Sequence, residues 1–447
     1  MDLLLVYPSS RRSRTTAFRQ DQPTAQRYPG LGLAMVAALS PPEARITIVD
    51  DEREAVPYGR RYDLVGISLL TANSGRGYDI AREFRRRGVP VVLGGMHATA
   101  CPDEAAAAAD AVVVGEAEDT WPALLGDFAS GSLKKVYRSS NDSSLAGLPV
   151  PRRDLLRSRD YITVNNVQAT RGCPFQCEFC SISSLLGRKT RCRPVEEVVD
   201  EVRGLAGRQF VLNDDNVAQE RDYFKELFRR LIPLRKQWVG NTSWNIARDR
   251  EMLDLMARSG CVGVFVGFES IVPQPGLPKL ARGEDRLALY KETVRELHRR
   301  RICVIGAFIL GFDSDGPSVF APTLAFALES RIDTAQINIL VPYPGTPLYA
   351  RLEREGRIVE RDWGRYITDN VCFRPKGMSG RELVEGCAWV RERFYAYPRV
   401  GLRVARAAVR SSPKATAAVL AVNMAFRRGI RDLNMDERAV DPATATA

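Results

Sequence analysis

The chain has 447 residues, 45% hydrophobic and 27% charged, with 65 Lys and Arg against 54 Asp and Glu. Those fractions belong to globular proteins and exclude disorder, collagen and coiled coil, and at about 100–200 residues per domain the length implies two to four domains. Asp2 precedes an apolar run only as long as a strand, and no stretch nears the ~18 apolar residues of a membrane span, so neither a secretory signal nor a spanning helix is expected and a cytoplasmic location is.

Along residues 1–135, short apolar runs alternate with helical patterns. Residues 3–7, 46–49, 64–68, 89–93 and 111–114 read as strands, and 31–39, 74–87 and a short stretch from Pro102 read as helices. Strand–helix alternation at this spacing predicts a doubly wound parallel sheet, whose ligands sit at the carboxyl ends of the strands. Tyr28-Pro-Gly30-Leu-Gly32 followed by Asp50 has the outline of a dinucleotide fingerprint. The first strand ends more than twenty residues earlier, and Met35 occupies the third glycine position, so that reading is set aside.

Residues 136–160, rich in Ser, Asn and Pro, read as a linker. A second alternation fills 161–375, with strands at 161–168, 210–212, 238–244, 262–267, 304–310 and 335–340. Helical patterns intervene at 194–206, 221–235, 249–259, 285–300 and 317–330. Six strand–helix units without a hairpin signal predict a partial parallel (β/α)6 barrel. Residues 376–447 read as a separate C-terminal helical element.

Nine cysteines are too few for a disulfide scaffold, yet Cys173, Cys177 and Cys180 crowd one loop after the first strand of the second domain. Three thiolates at this spacing can wrap one metal centre. Tetrahedral zinc wants a fourth ligand, and Cys192 stands in a basic approach to a helix. A cuboidal iron–sulfur cluster can use three cysteines and leave one iron open. A structural zinc site is the alternative. Only His97 and His298 exist, which excludes multi-histidine metal hydrolysis; His298, on a basic helix, reads as a surface residue.

The cysteine loop, with Thr170-Arg-Gly-Cys173-Pro before it, resembles the radical SAM superfamily. The resemblance implies that Cys173, Cys177 and Cys180 bind a 4Fe–4S cluster whose open iron chelates S-adenosylmethionine and cleaves it to a 5′-deoxyadenosyl radical. Asp214 and Asp215 resemble the acidic end of the second barrel strand, near the methionine amino group. Asn245 closes the third strand, and Glu269-Ser270 resembles the segment that meets ribose and carboxylate. Gly306 and Gly311 resemble the fifth-strand glycines that approach adenine. Val341-Pro-Tyr-Pro344-Gly-Thr346 matches the sixth-strand exit of the cobalamin-binding branch.

In the first domain, Ser68, Thr71, Gly94, Gly95, His97, Gly115 and Glu116 resemble strand ends of the cobalamin-binding domains of radical SAM methylases. No Asp-x-His-x-x-Gly loop is present, and His97 is read as lining the corrin or tail pocket, or as a structural imidazole. The whole resembles the hopanoid and bacteriochlorophyll-pathway methylases. This implies C-methylation of an unactivated carbon by way of methylcobalamin, with a flavodoxin or ferredoxin as electron donor. A non-methylating cobalamin radical SAM reaction, such as cyclisation or rearrangement, needs the same parts, and a non-catalytic sensor is a third reading. A methylthiotransferase is excluded, since only Cys101 precedes the triplet.

The substrate is a small molecule, apolar or ring-containing if Trp363, Tyr366 and Phe373 help to choose it. Residues 394–431 carry eight basic residues and no acid, leaving the rest of the chain only +3. Without interleaved aromatics this does not read as a nucleic-acid site. Arg399, Arg403, Arg406 and Arg410 share a helix face, read as a peripheral membrane contact over 399–431 or as a solvated face.

Overall fold

The computed structural model describes residues 1–10, 28–274, 277, 284–410 and 413–433. The apolar run after Asp2 becomes β1 (Asp2–Tyr7), in which Leu3, Leu4, Leu5 and Val6 are all buried. Consecutive residues are buried only where a strand is covered on both faces. Accordingly β1 lies inside a parallel sheet, between β2 (Arg45–Asp50) and β3 (Leu64–Ser68), followed by β4 (Val91–Gly94), β5 (Ala111–Val114) and β6 (Val136–Arg138). Leu4 and Val6 pack on one side with Ile80 and Phe84, and Leu3 and Leu5 on the other with Leu33, Trp121 and Leu124. The order β2-β1-β3-β4-β5-β6 reverses direction beside β1, which is where such sheets bind ligands. β6 lies within the stretch expected to be linker, because its backbone completes the edge beside β5.

The second sheet opens with β7 (Asn166–Val167), much shorter than the strand expected over 161–168. Side chains replace the missing ladder there: the Asn165 amide donates to the carbonyls of Ala206 and Gln209 at 2.7 and 3.0 Å. The chain then leaves the sheet as β8 (Thr170–Arg171), pairing antiparallel with β9 (Arg191–Cys192). β10 (Gln209–Leu212), β11 (Gln237–Ser243), β12 (Cys261–Glu269), β13 (Cys303–Leu310) and β14 (Thr334–Ile339) complete an all-parallel sheet in the order β14-β13-β12-β11-β10-β7. Along β13, Val304, Phe308 and Leu310 are buried under the helices, while Ile305, Ala307 and Ile309 alternate with them and stay partly open on the inner face. Period-two alternation therefore splits each barrel strand into a core side and a lumen side.

The C-terminal helices Gly380–Phe394, Tyr397–Arg410 and Pro413–Leu433 are not a separate element, as far as residue 433. Leu383, Cys387, Val390 and Phe394 share one core with Phe308, Phe326 and Ile337 of the barrel. Buried Tyr395 closes the join: its hydroxyl accepts from the Ala335 N–H at 3.1 Å and donates to the Ala335 carbonyl at 2.7 Å.

The supposed basic face turns inward at Arg403 and Arg410, while Arg399 and Arg406 stay partly exposed. Arg403 is 5% exposed, bonded to Asn423 and the Phe394 carbonyl and lying over the Phe394 ring. Arg410 pairs with Asp333 at 2.6 Å. His298 is likewise not a surface residue, because the same buried Asp333 takes its Nε2 at 2.8 Å. Removing the Tyr395 hydroxyl would strand two buried backbone groups of the edge strand. Tyr395→Phe is expected to lower stability by about 1–3 kcal/mol, read from the urea midpoint.

Candidate active site between two sets of strand ends

The three clustered cysteines sit on the loop between β8 and β9. Gly172 opens this loop at φ +94°, and a Cβ there would lie 2.4 Å from the Lys189 carbonyl oxygen, so only glycine lets the chain turn into Cys173. Burial and the neighbouring Cys180, Glu269 and Cys173 push Cys177 up to about 12, and Cys173 is raised by burial with Cys180 and Asp215 nearby. Cys192 stands apart on β9, its thiol pushed up to about 11 by burial and by Glu220 and Asp214.

The loop is pinned from several sides. Asp214, fully buried, accepts from the backbone of Ala169 and from both the N–H and the hydroxyl of Thr170. Arg351 holds Glu178 at 2.7 Å, and the Leu348 N–H donates to the Glu178 carbonyl at 2.9 Å. The Phe179 ring meets Phe312 edge-on at 5.9 Å.

Of the residues expected to meet S-adenosylmethionine, some face this loop and others do not. Asp215 lies beside Cys173 and near the Gly172 N–H; burial pushes its carboxyl up to about 6. Asp214 is spent on the backbone and offers the lumen little. Asn245 ends a polar ladder in which Ser243 Oγ donates to its Oδ1 at 2.6 Å and Asn216 donates to Ser243 at 2.9 Å. Glu269 stands at φ +59°, just past a register shift between β12 and β13 that swings its carboxyl over Gly267 toward Cys177. Burial alone pushes it up to about 7.

Ser270 is buried and bonded to Gln274, which also donates to Asp315 at 2.8 Å; Asp315 in turn takes the N–H groups of Gly311 and Phe312. Gly306 and Gly311 do not present bare backbone to the lumen. A Cβ on Gly306 would meet Ile332, Phe308 and Phe268 within 3.2 Å, and one on Gly311 would meet Leu383 at 2.7 Å, so both serve the helix-side packing.

In the first domain, Ser68, Gly94, Gly95, Gly115 and Glu116 line a cleft of about 220 Å³ at the carboxyl ends of β3, β4 and β5. Leu33, Met35 and Trp121 make its walls apolar. Thr71 and His97 do not line it. Thr71 begins a turn of 3-10 helix, Thr71–Asn73. His97 is fully buried on the far side, its Nε2 3.4 Å from Glu104, its ring against Tyr78 and Trp363. Trp363 donates to the other Glu104 oxygen at 3.0 Å, while Tyr366 and Phe373 are core residues, so this aromatic set packs a seam.

The cleft and the cysteine loop meet through one buried clasp. Glu116, 5% exposed, is bidentate with Arg191, and Arg171 reaches it at 3.2 Å while pairing with Glu118 at 2.7 Å. Arg171 and Gln168 also line the cleft. Glu116 thus binds the second domain rather than standing free for a ligand, and Arg171, Arg191, Glu178 and Arg351 were not among the expected site residues. For Arg171, Glu178 and Arg191 the sequence signal was charge near the cysteine motif, while Arg351 comes from far along the chain and had none.

Comparisons with known proteins agree with this two-part site. Residues 25–125 match the B12 binding domain and 167–327 the Radical SAM superfamily. The chain is 32% identical to bacteriochlorophyllide d C-12(1)-methyltransferase of Chlorobaculum tepidum over 82% of each chain. It belongs to the cobalamin-dependent radical SAM methyltransferases. Hopanoid C-2 methylase of Rhodopseudomonas palustris is 30% identical over 80% of this chain and 71% of its own. The radical S-adenosylmethionine methyltransferase TsrM of Kitasatospora setae has the same fold, with a TM-score of 0.62 at 18% identity over 79% of this chain and 76% of that one. The methyltransferase therefore uses a 4Fe–4S cluster, S-adenosylmethionine and cobalamin.

Two measurements probe this arrangement. Removing one partner of a buried ion pair costs about 3–5 kcal/mol, so Glu116→Ala in the methyltransferase should destabilise by that order in urea and lower iron loading on reconstitution. Glu269 titrates near 4.5 unfolded and about 7 folded, so the stability it contributes is complete below the lower value and is lost as pH rises through the upper. Cluster-free protein should lose stability between about pH 5 and pH 8, with Asp214, up to about 7, and Asp215, up to about 6, acting in the same direction, and Glu269→Gln should make that loss smaller by about 1–3 kcal/mol.

Proposed function

We propose that this methyltransferase adds a methyl group to an unactivated carbon of an apolar, ring-containing biosynthetic intermediate. The observation that carries the reading is the meeting of two strand-end sites across the Glu116 clasp, with a partly open lumen between them. Phe265, Ile305, Ala307 and Ile309 give that lumen an apolar wall, and Gln336 and Asn338 give it polar points. A chlorin methylase and a hopanoid methylase among the relatives, each named for a polycyclic substrate, support the same substrate class.

The residues fit the cofactors. Cys173, Cys177 and Cys180 offer three thiols without a fourth, as a cluster with one open iron requires. Glu269 and Asp215, held up in pKa beside those thiols, suit a cationic amino group, whose arrival would favour their ionised forms. The apolar cleft lined by Gly94, Gly95 and Gly115 would hold a flat, apolar part of cobalamin at the strand ends. When bound, cluster and S-adenosylmethionine supply hydrogen-atom abstraction, and cobalamin supplies the methyl group.

The chain's own part is placement. The clasp sets the spacing between loop and cleft, and the Glu178–Arg351 pair holds the loop against the sixth-strand exit. A flavodoxin or ferredoxin serves as the electron donor in this reading.

Cyclisation or rearrangement is the competing chemistry, since an anaerobic magnesium-protoporphyrin IX monomethyl ester cyclase of Cereibacter sphaeroides is 27% identical over 68% of the chain. Anaerobic turnover with methyl-labelled S-adenosylmethionine and a panel of chlorins and polycyclic isoprenoids separates the two. A product carrying one labelled methyl group, with 5′-deoxyadenosine and S-adenosylhomocysteine both formed, is the expected result. An unlabelled product accompanied by 5′-deoxyadenosine would assign the chain to the non-methylating reaction instead.

A further inference from the structure

The inward turn of Arg403 and Arg410 leaves the opposite face of the C-terminal helices outward. Beyond the first turn of the helix Tyr397–Arg410, the exposed positions are Gly401, Leu402, Ala405, Ala408 and Val409, with no charged side chain among them. Leu402 is 51% exposed and Val409 89%. On the neighbouring helix Pro413–Leu433, Ala417, Ala418 and Leu420 are exposed, Leu420 at 44%. The two helices are fixed side by side by Arg403 on Asn423 at 3.0 Å and by the stacked rings of Tyr395 and Phe426. They therefore present one apolar surface whose orientation is locked to the catalytic body.

Cations rim that surface. Arg399 and Arg406 are partly exposed at its flank and Arg428 is exposed beyond it, and no acid occurs anywhere in 394–431. Exposed apolar side chains flanked by these arginines match the interface between acyl chains and anionic headgroups. A second copy of the chain fits this surface poorly, since it would bring two sets of unbalanced cations together.

We propose that the outward face of the two C-terminal helices, through Leu402, Val409 and Leu420, docks the enzyme on an anionic lipid bilayer. The apolar side chains enter the headgroup boundary and the flanking arginines meet lipid phosphates. Arg403 and Arg410 take no part, being held inside by Asn423 and Asp333. No described helix is long and apolar enough to cross a membrane, so this contact is peripheral.

The test uses the reconstituted full-length enzyme and vesicles of phosphatidylcholine alone or mixed with phosphatidylglycerol. Co-sedimentation should be strong with the mixed vesicles and weak with phosphatidylcholine alone. The triple variant Leu402→Glu, Val409→Glu, Leu420→Glu should weaken binding at least about tenfold, because each change places an acid in the headgroup boundary. All three positions are surface sites away from the cysteine loop, so 5′-deoxyadenosine formation without vesicles should be unchanged and reports that the variant is folded. Equal sedimentation of the parent and triple variant overturns the proposal. So does a dimer, measured by light scattering, that the triple variant dissociates while vesicles bind neither protein; that outcome would give the surface to a second copy.

Discussion

The buried contact between Glu116 and the pair Arg171 and Arg191 is the constraint on which the site depends. Each sheet alone would form a competent core, since each has its own apolar cluster. Neither alone can set the distance between a cleft at one set of strand ends and a cysteine loop at the other. A carboxylate from the loop after β5, held by two guanidinium groups from the β8–β9 hairpin, does so with direction as well as strength. Removing such charges from water costs several kcal/mol per ion, which the pairing roughly returns, so the clasp contributes geometry more than net stability. A hydrophobic contact of equal area would be non-directional and would leave the register of the two sheets loose.

The same contrast between spent and unspent charge organises the lumen. Asp214, Asp315 and Asp333 are all buried, and each is consumed by backbone N–H groups or by a cationic partner at a strand end. They determine where loops leave the sheet. Glu269 differs in aim: a register shift and a left-handed backbone turn it toward the thiols, while burial holds its proton to about neutral pH, as it does for Asp214. What separates them is geometry: Glu269 faces the cysteine loop, and the aspartates face the backbone and cations they hold. Side-chain type alone does not separate these two uses.

Much of this was legible in the order of residues. Parallel strands, their order along the chain and the two-domain plan follow from apolar runs and helical periods, because burial on both faces leaves a one-dimensional signature. The cysteine loop was legible because three thiols within eight residues can converge on one metal centre without help from the rest of the chain. The individual ligand roles were less so. Gly306 and Gly311 answer to Phe268 and Leu383, residues distant in sequence, and His97 answers to Trp363 across the domain seam. Glu116 looked like a ligand at a strand end and is instead an ion-pair partner of the other domain.

The C-terminal helices show where the division falls. The sequence by itself determined that the excess positive charge lies in one helical stretch with arginines at three- and four-residue steps, since helix period depends only on local spacing. Which way that face points was decided by the tertiary structure. Arg403 and Arg410 find Asn423, a backbone carbonyl and Asp333 on the barrel edge, and those hydrogen-bonded contacts hold them inward although this leaves Leu402 and Val409, with Ala405 and Ala408, in water. A local pattern states which residues share a face; only the surrounding donors and acceptors, brought in from far along the chain, state whether that face meets the core or the solvent.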